Sequence, residues 1–206
     1  MIKITNVCVY NFENAIRGMR NPLNSWDKSD SYYDKGGNFV IGENDLKLAL
    51  KLANAGSDHR KFLRQIFVSM DISAPLYWWK EFDTYKVGTV ANSCSTMHTI
   101  HKKEFTLDDF SHDKLNKYNK RILKAYIHTI NANRELFLET DNKDYWWQMI
   151  QMLPTSYNQL RTVTLNYEVL RNIYHSRKAH KLDEWRDLCE IIEGLPYSIL
   201  ITEKEK

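Results

Sequence analysis

The sequence predicts an α+β fold, a mainly antiparallel sheet packed against long helices. Three observations carry this. Residues 66–73 alternate apolar and polar side chains with the two-residue period of a half-buried strand. From Leu115 onward, apolar residues recur at helical spacing through several long stretches. Strand signals and short helices come first and long helices last, an order that suits α+β architecture.

Taken in order, residues 2–10 read as a strand. Ile2 and Ile4 alternate in one phase and Val7 and Val9 in the other, so a bulge near Asn6 is expected. Glu13 to Arg20 reads as a short helix ended by Asn21-Pro22. Residues 21–37 are polar and turn-rich and read as a long loop, either functional or a mobile surface excursion. Gly36-Gly37 lacks a phosphate-loop signature and reads as a turn. Phe39 to Ile41 is a brief strand, and Leu46, Ala49, Leu50 and Ala53 mark a helix stopped at Gly56.

Pro75 suits the first turn of a helix running to about Tyr85. Gly88 breaks it, and residues 89–97 read as loop or short extended chain. Thr106, and Ser111 or Asp113, can cap the next helical stretch. A long helix carries Leu115, Tyr118, Ile122, Tyr126 and Ile130 on one face. Further helices are expected over 144–152, 157–177 and 182–193. The whole of 1–206 reads as one domain with a charged tail at 203–206.

Composition bounds the function. The net charge of +3, from 29 basic against 26 acidic residues, is too small to point to nucleic acid. Three cysteines without a CxxC pair argue against a disulfide framework or zinc site and fit a reducing cytoplasm. No run approaches a membrane span, and the N-terminus lacks a signal-peptide core. His98 and His101 are three apart without a third ligand at diagnostic spacing, so no metal is expected. Cys94 lies between two serines, as a nucleophile could, but no nearby His is fixed as its base and a buried inert thiol suits it better. Asn166, Leu170, Ile173 and Arg177 would share one face of a 157–177 helix. An Arg there can fork to phosphate, and an Asn can read a base or flavin edge. An ordinary polar face with a structural ion pair accounts for the same spacing.

Two stretches resemble the flavin-dependent thymidylate synthase family, ThyX. That family carries A-P, then R-Q-W, then R-H-R-x-x-S-x-N-E-x-S-x-R-Y. From Ala74-Pro75 this chain follows the pattern without a gap. Lys80-Glu81-Phe82 falls on R-Q-W, Thr84-Tyr85-Lys86 on R-H-R, and Thr89 on the first Ser. Ala91-Asn92 falls on N-E, Cys94 on the second Ser, and Thr96-Met97 on R-Y. Leu153-Pro154, Thr164, Asn166, Asn172 and Arg177 match the family's C-terminal pattern, and His59 sits near its early histidine.

The resemblance implies a homotetramer that binds a small-molecule nucleotide, deoxyuridylate, and FAD. It also implies methyl transfer from methylenetetrahydrofolate with NADPH as reductant. By register, His59, Lys86, Asn92, Asn166 and Asn172 would hold the cofactor. Glu81, Cys94, Thr96 and Arg177 would contact substrate, with Arg177 and Cys94 at the reaction. The departures concern charge. Thr84, Tyr85, Thr96 and Ile150 stand where the family has charged or ring-nitrogen donors, and Lys86 keeps a charge without the planar fork. Each lost charge-assisted contact to phosphate costs about 1.5–3 kcal/mol. The pattern therefore implies either a flavoenzyme altered in its pocket or an inactive nucleotide-binding protein that sequesters or senses its ligand.

Overall fold

A computed structural model describes residues 2–203, so of the predicted tail only Glu203 lies among the described residues. Nine α-helices and six strands are found among them. The first strand, β1 (Lys3–Tyr10), has Asn6 in the left-handed region (φ 53°), where the sequence changes phase. Helix α1 (Phe12–Met19) comes next and ends before Asn21-Pro22 as expected.

The 21–37 segment is more ordered than a loop. It holds two 3-10 turns, Asn21–Leu23 and Trp26–Lys28, and strand β2 (Tyr32–Tyr33). β2 pairs antiparallel with β3 (Phe39–Val40) across a turn in which Gly37 takes φ 79°. What orders the segment is Asp45, fully buried on α2 (Glu43–Asn54). Its carboxylate accepts from the hydroxyls of Ser29 and Ser31, the amides of Asp30 and Ser31, and Arg20 Nε at 2.6 Å. Arg20, also buried, donates onward to the carbonyls of Ser25 and Lys28. Each buried charge is thus paired and hydrogen-bonded, the condition for keeping it in the interior. Sequence periodicity does not show this pairing.

Strand β4 (Phe67–Pro75) buries Val68, Met70, Ile72 and Ala74 on one face, as its alternation predicts. Pro75 both closes the strand and stands at the N-cap of α3 (Leu76–Phe82), one place before the first turn expected for it, and α3 is shorter than expected. The short extended chain expected over 89–97 is β5 (Val90–Ser93), and an unpredicted short helix, α4 (Thr96–Thr99), follows it. Thr106 caps a 3-10 turn, Leu107–Asp109, while Asn116 caps α5 (Lys117–Thr140). On α5 the buried stripe is Ile127, Ile130 and Asn131; Tyr118 and Ile122 are exposed, so the predicted face is partly wrong. α6 (Lys143–Met152) matches its prediction.

The largest correction lies in 157–177. No single helix spans it. β6 (Asn158–Asn166) comes first and α7 (Tyr167–Arg177) second. The run LRTVTL satisfies a strand period as well as a helical one, and sheet pairing decides for the strand. The sheet order is β1-β4-β6-β5, antiparallel. α8 (Asp183–Glu193) and a short α9 (Ile199–Thr202) complete the chain.

The chain forms two compact units. One comprises residues 71–84 and 91–162 with the start of the chain. Its core gathers Phe105, Phe110, Ile127, Ile130 and Met149, and Ile150 packs against that core. Trp78 and Trp79 are both buried, in edge contact at 4.9 Å, with Phe82 stacked on Trp78. The other comprises 5–70, 85–90 and the chain from 163 onward. Its centre is α7, where Tyr167, Leu170 and Ile173 are fully buried. Arg171, 3% exposed, donates from there to the carbonyls of Leu200 and Ile201 and to Asn54 Oδ1, tying down α9.

Burial raises the Asp45 carboxyl, but bonds from Ser29, Ser31 and Arg20 outweigh it and hold it below its ordinary value. A depressed carboxyl stabilises the fold above its unfolded value of about 4, and that contribution is lost as pH falls through the lower folded value. Asp45→Asn leaves Arg20 buried without its counter-ion and is expected to cost about 3–5 kcal/mol in urea unfolding at neutral pH. The gap from the native chain should narrow in acid; a gap independent of pH would show that the charge is not what matters.

Candidate functional site

In the unit built on α7, the segment 85–90 docks on that helix. The contact at one end is Gly88 against Asn166. A Cβ placed on Gly88 would lie 2.9 Å from Asn166 Nδ2 and 3.5 Å from Val169 Cγ2, and Gly88 takes φ 77°. Glycine is therefore required twice, by backbone conformation and by close approach. The contact at the other end is Tyr85, whose hydroxyl accepts from Arg177 Nε at 2.9 Å.

Asn166 is buried and caps α7: its Oδ1 accepts from the Val169 amide at 3.0 Å. It sits at the helix boundary rather than on a helical face, the consequence of β6 ending there. Arg177 closes the same helix, so the amide and the guanidinium stand at its two ends. The guanidinium lies 4.8 Å from the Trp185 ring centroid and 5.7 Å from that of Tyr85. The two rings are 5.9 Å apart. A cation held between aromatic faces at this range gains roughly 0.5–2 kcal/mol. It also keeps the planar fork in one orientation.

Asn172 is exposed on α7, on the side away from the buried Arg171 and Ile173. Lys86 is exposed. Thr89 Oγ1 is buried and has no hydrogen-bond partner among the described residues. His59, exposed beyond α2, lines a separate cavity of about 1170 Å³ with Arg20, Leu48, Leu52 and Phe62. Thus Lys86's segment, Asn166 and Arg177 come together in this unit, while His59 lies on another of its faces.

Glu81, Asn92, Cys94 and Thr96 belong to the other unit. Glu81 is half-buried on α3, and its carbonyl accepts from the Thr84 hydroxyl at 2.7 Å. Asn92 is exposed on β5. Cys94 is exposed, which corrects the expectation of a buried thiol. Its amide donates to the Leu160 carbonyl and its carbonyl accepts from Gln159 Nε2, which fixes the backbone there to β6. Thr96 opens α4, capped by the Ser95 hydroxyl on the His98 amide. The buried thiol is instead Cys189, pushed up to about 11 by burial and therefore inert. Among the described residues, no group of three or more His, Cys, Asp or Glu side chains could hold a metal.

Two charged groups leave no mark in the sequence pattern. Arg60 forks its Nε to both oxygens of Glu168, at 2.9 and 2.8 Å, on the first turn of α7. Arg171 runs through the core of its unit; burial first, then the neighbouring Arg60, pulls its pKa below the ordinary guanidinium value. A guanidinium nevertheless stays charged. Neither residue belongs to a local motif, because their partners are distant in the chain.

No family model matches the chain, and no curated protein matches it by sequence. Solved structures do match. Thymidylate synthase X (ThyX) from Helicobacter pylori, crystallised with FAD and dUMP at 2.31 Å resolution, superposes with a TM-score of 0.71 at 17% identity. That match covers 98% of this chain and 97% of the other. A second crystal structure of ThyX from Helicobacter pylori complexed with FAD and dUMP gives 0.70 at 18% identity, covering 98% and 100%. The chain therefore has the ThyX fold over 98% of its length.

Loss of the Asn166 cap in Asn166→Ala is expected to cost about 1 kcal/mol in chemical unfolding. Gly88→Ala is expected to cost at least as much, since it meets both the positive φ and the Asn166 amide. The double variant should cost less than the sum of the two, because the sites touch; strict additivity would place the 85–90 segment away from α7.

Proposed function

We propose that this protein binds a pyrimidine nucleotide and FAD on a ThyX fold. One observation carries the reading. The segment bearing Lys86 and Thr89 is docked on α7 between Asn166 and Arg177, in a chain that over 98% of its length shares the fold of proteins crystallised with FAD and dUMP. Thr89 Oγ1, a buried hydroxyl lacking a partner among the described residues, is an orphaned polar atom of the kind that a bound ligand satisfies. With Lys86 for phosphate and Asn172 for a ring edge or ribose, the donor set fits one phosphate-bearing group on this face. FAD, when bound and reduced, supplies the hydride that completes the methyl group in ThyX-type chemistry. Asn92, Glu81, Cys94 and Thr96 are assigned to ligand contacts by register alone. Methylenetetrahydrofolate and NADPH enter as co-substrates, and the protein assembles as a homotetramer in the cytoplasm.

A second reading has its own support. Arg177 is engaged by Tyr85 and Trp185, and Thr84, Thr96 and Ile150 carry no charge where the ThyX pattern carries cations. On this reading the protein binds a nucleotide without turning it over, as a sequestering or sensing module.

Purified protein should carry flavin absorbance or acquire it on reconstitution with FAD, and Lys86→Ala should weaken uptake by about tenfold, the equivalent of one charge-assisted bond. Protein that stays colourless in excess FAD refutes the flavin assignment. Conversion of deoxyuridylate to thymidylate with the folate and NADPH favours the enzyme. Saturable deoxyuridylate binding without product favours the sensor. If neither ligand shifts the melting temperature, the nucleotide assignment fails altogether.

A further inference from the structure

The face of α1 opposite the core carries an arrangement that neither reading uses. A polar cavity of about 600 Å³ is bounded by Asn14, Arg17, Gly18, Asn21, Trp26 and Gln65. It lies within one unit, and its size falls in the range of small-molecule sites. Trp26 is 49% exposed, an unusual place for the largest apolar side chain. Its indole Nε1 donates to Asn21 Oδ1 at 3.0 Å, so the ring's polar atom is already satisfied and its orientation set. The backbone beneath it is held as well. Trp26–Lys28 is a 3-10 turn, and the Ser25 and Lys28 carbonyls accept from Arg20 of the buried Arg20–Asp45 pair.

The polar residues are ordered too. Asn11 Nδ2 donates to the Gln65 carbonyl, Asn14 Nδ2 to Asn11 Oδ1, and Arg17 to Asn14 Oδ1 at 3.0 Å. This relay fixes a guanidinium and an amide beside the ring. Gly18 is the second sign of a built space. It lies in the last turn of α1 with φ outside the left-handed region, so its backbone does not require glycine, and alanine would hold the helix better. A Cβ there would stand 3.2 Å from Gln65 Oε1, so this cavity-lining side chain would have to shift. Glycine at this point leaves Gln65 in its place on the cavity wall.

We propose that this cavity is a second ligand site, separate from the Lys86 segment, for a nucleobase-bearing anion. The base stacks on Trp26, its edge meets the amides of Asn14 and Gln65, and its phosphate pairs with Arg17. A pre-oriented ring favours this ligand because base stacking on an aromatic needs no particular sequence or substituent, and the ordering cost is met by the fold. The site stands on residues that the proposed FAD and deoxyuridylate contacts do not include, so either assignment can fail without the other.

Saturation-transfer NMR of the full chain with adenosine 5′-monophosphate tests this. Saturation is expected at the base protons, with a dissociation constant in the millimolar range or below. Trp26→Ala should weaken binding about tenfold or more. Gly18→Ala should also weaken it while leaving the melting temperature unchanged or higher, which separates occlusion of the cavity from loss of fold. Ribose 5-phosphate, which has the anion without the ring, should compete poorly. Absence of base-proton saturation, equal binding by Trp26→Ala, or equal competition by ribose 5-phosphate would each overturn the proposal.

Discussion

The pairing of β4 with β6 sets the position of nearly everything that matters here. The Ile66 carbonyl accepts from the Tyr167 amide, the Ser69 and Thr164 hydroxyls meet at 2.6 Å, and Thr162 donates to Asp71 at 2.6 Å. Further along, the Leu76 amide donates to the Tyr157 carbonyl. Residue numbers fall on one strand as they rise on the other, the mark of a single antiparallel register. A slip of one residue would turn Val163 and Leu165 away from the core and bring Thr164 in. The hydroxyl and carboxylate pairs on the opposite face oppose such a slip. The register also fixes where β6 ends and α7 begins, and hence puts Asn166 at a cap.

That boundary governs the surroundings of α7. A capped helix presents its buried face to the unit core and its two ends to the 85–90 segment. Gly88 can approach one end only because it lacks a side chain, and Tyr85 reaches the other through its hydroxyl. Arg177 is thus held against the Tyr85 hydroxyl and the Trp185 ring. The same helix buries Arg171 and receives the Arg60–Glu168 pair, so its polar groups are largely committed to holding the unit together. Lys86 and Asn172 are exposed by contrast, and the Thr89 hydroxyl has no partner among the described residues.

Much of the fold is legible in the residues. The alternation over 66–73 marks β4 because its buried face is continuous, and Asn6 shows where β1 changes phase. The α5 stripe is only partly legible, since Tyr118 and Ile122 are apolar yet exposed, and composition does not say which apolar residues a partner covers. The 157–177 span misleads because threonine and leucine at those spacings serve either period. At the candidate site, the motif spacing from Ala74 onward locates the segment that docks on α7. It does not reveal that Asn166 caps a helix or that Cys94 is exposed, because both depend on where β6 stops and on which residues pair with it.

By itself the sequence determined the α+β class, most element positions and the glycine and proline punctuation, because these arise from local periodicity and backbone sterics. It also determined, by register with the ThyX-type pattern, that positive charge is kept at Lys80, Lys86 and Arg177 but absent at Thr84, Thr96 and Ile150. Only the tertiary structure decided which polar residues are structural. Asp45 with Arg20, Asn166 with Gly88, and Arg177 with Tyr85 and Trp185 are all pairings between residues that local periodicity does not connect. Their energies come from burial and mutual satisfaction of hydrogen bonds, quantities that do not exist until the chain has folded.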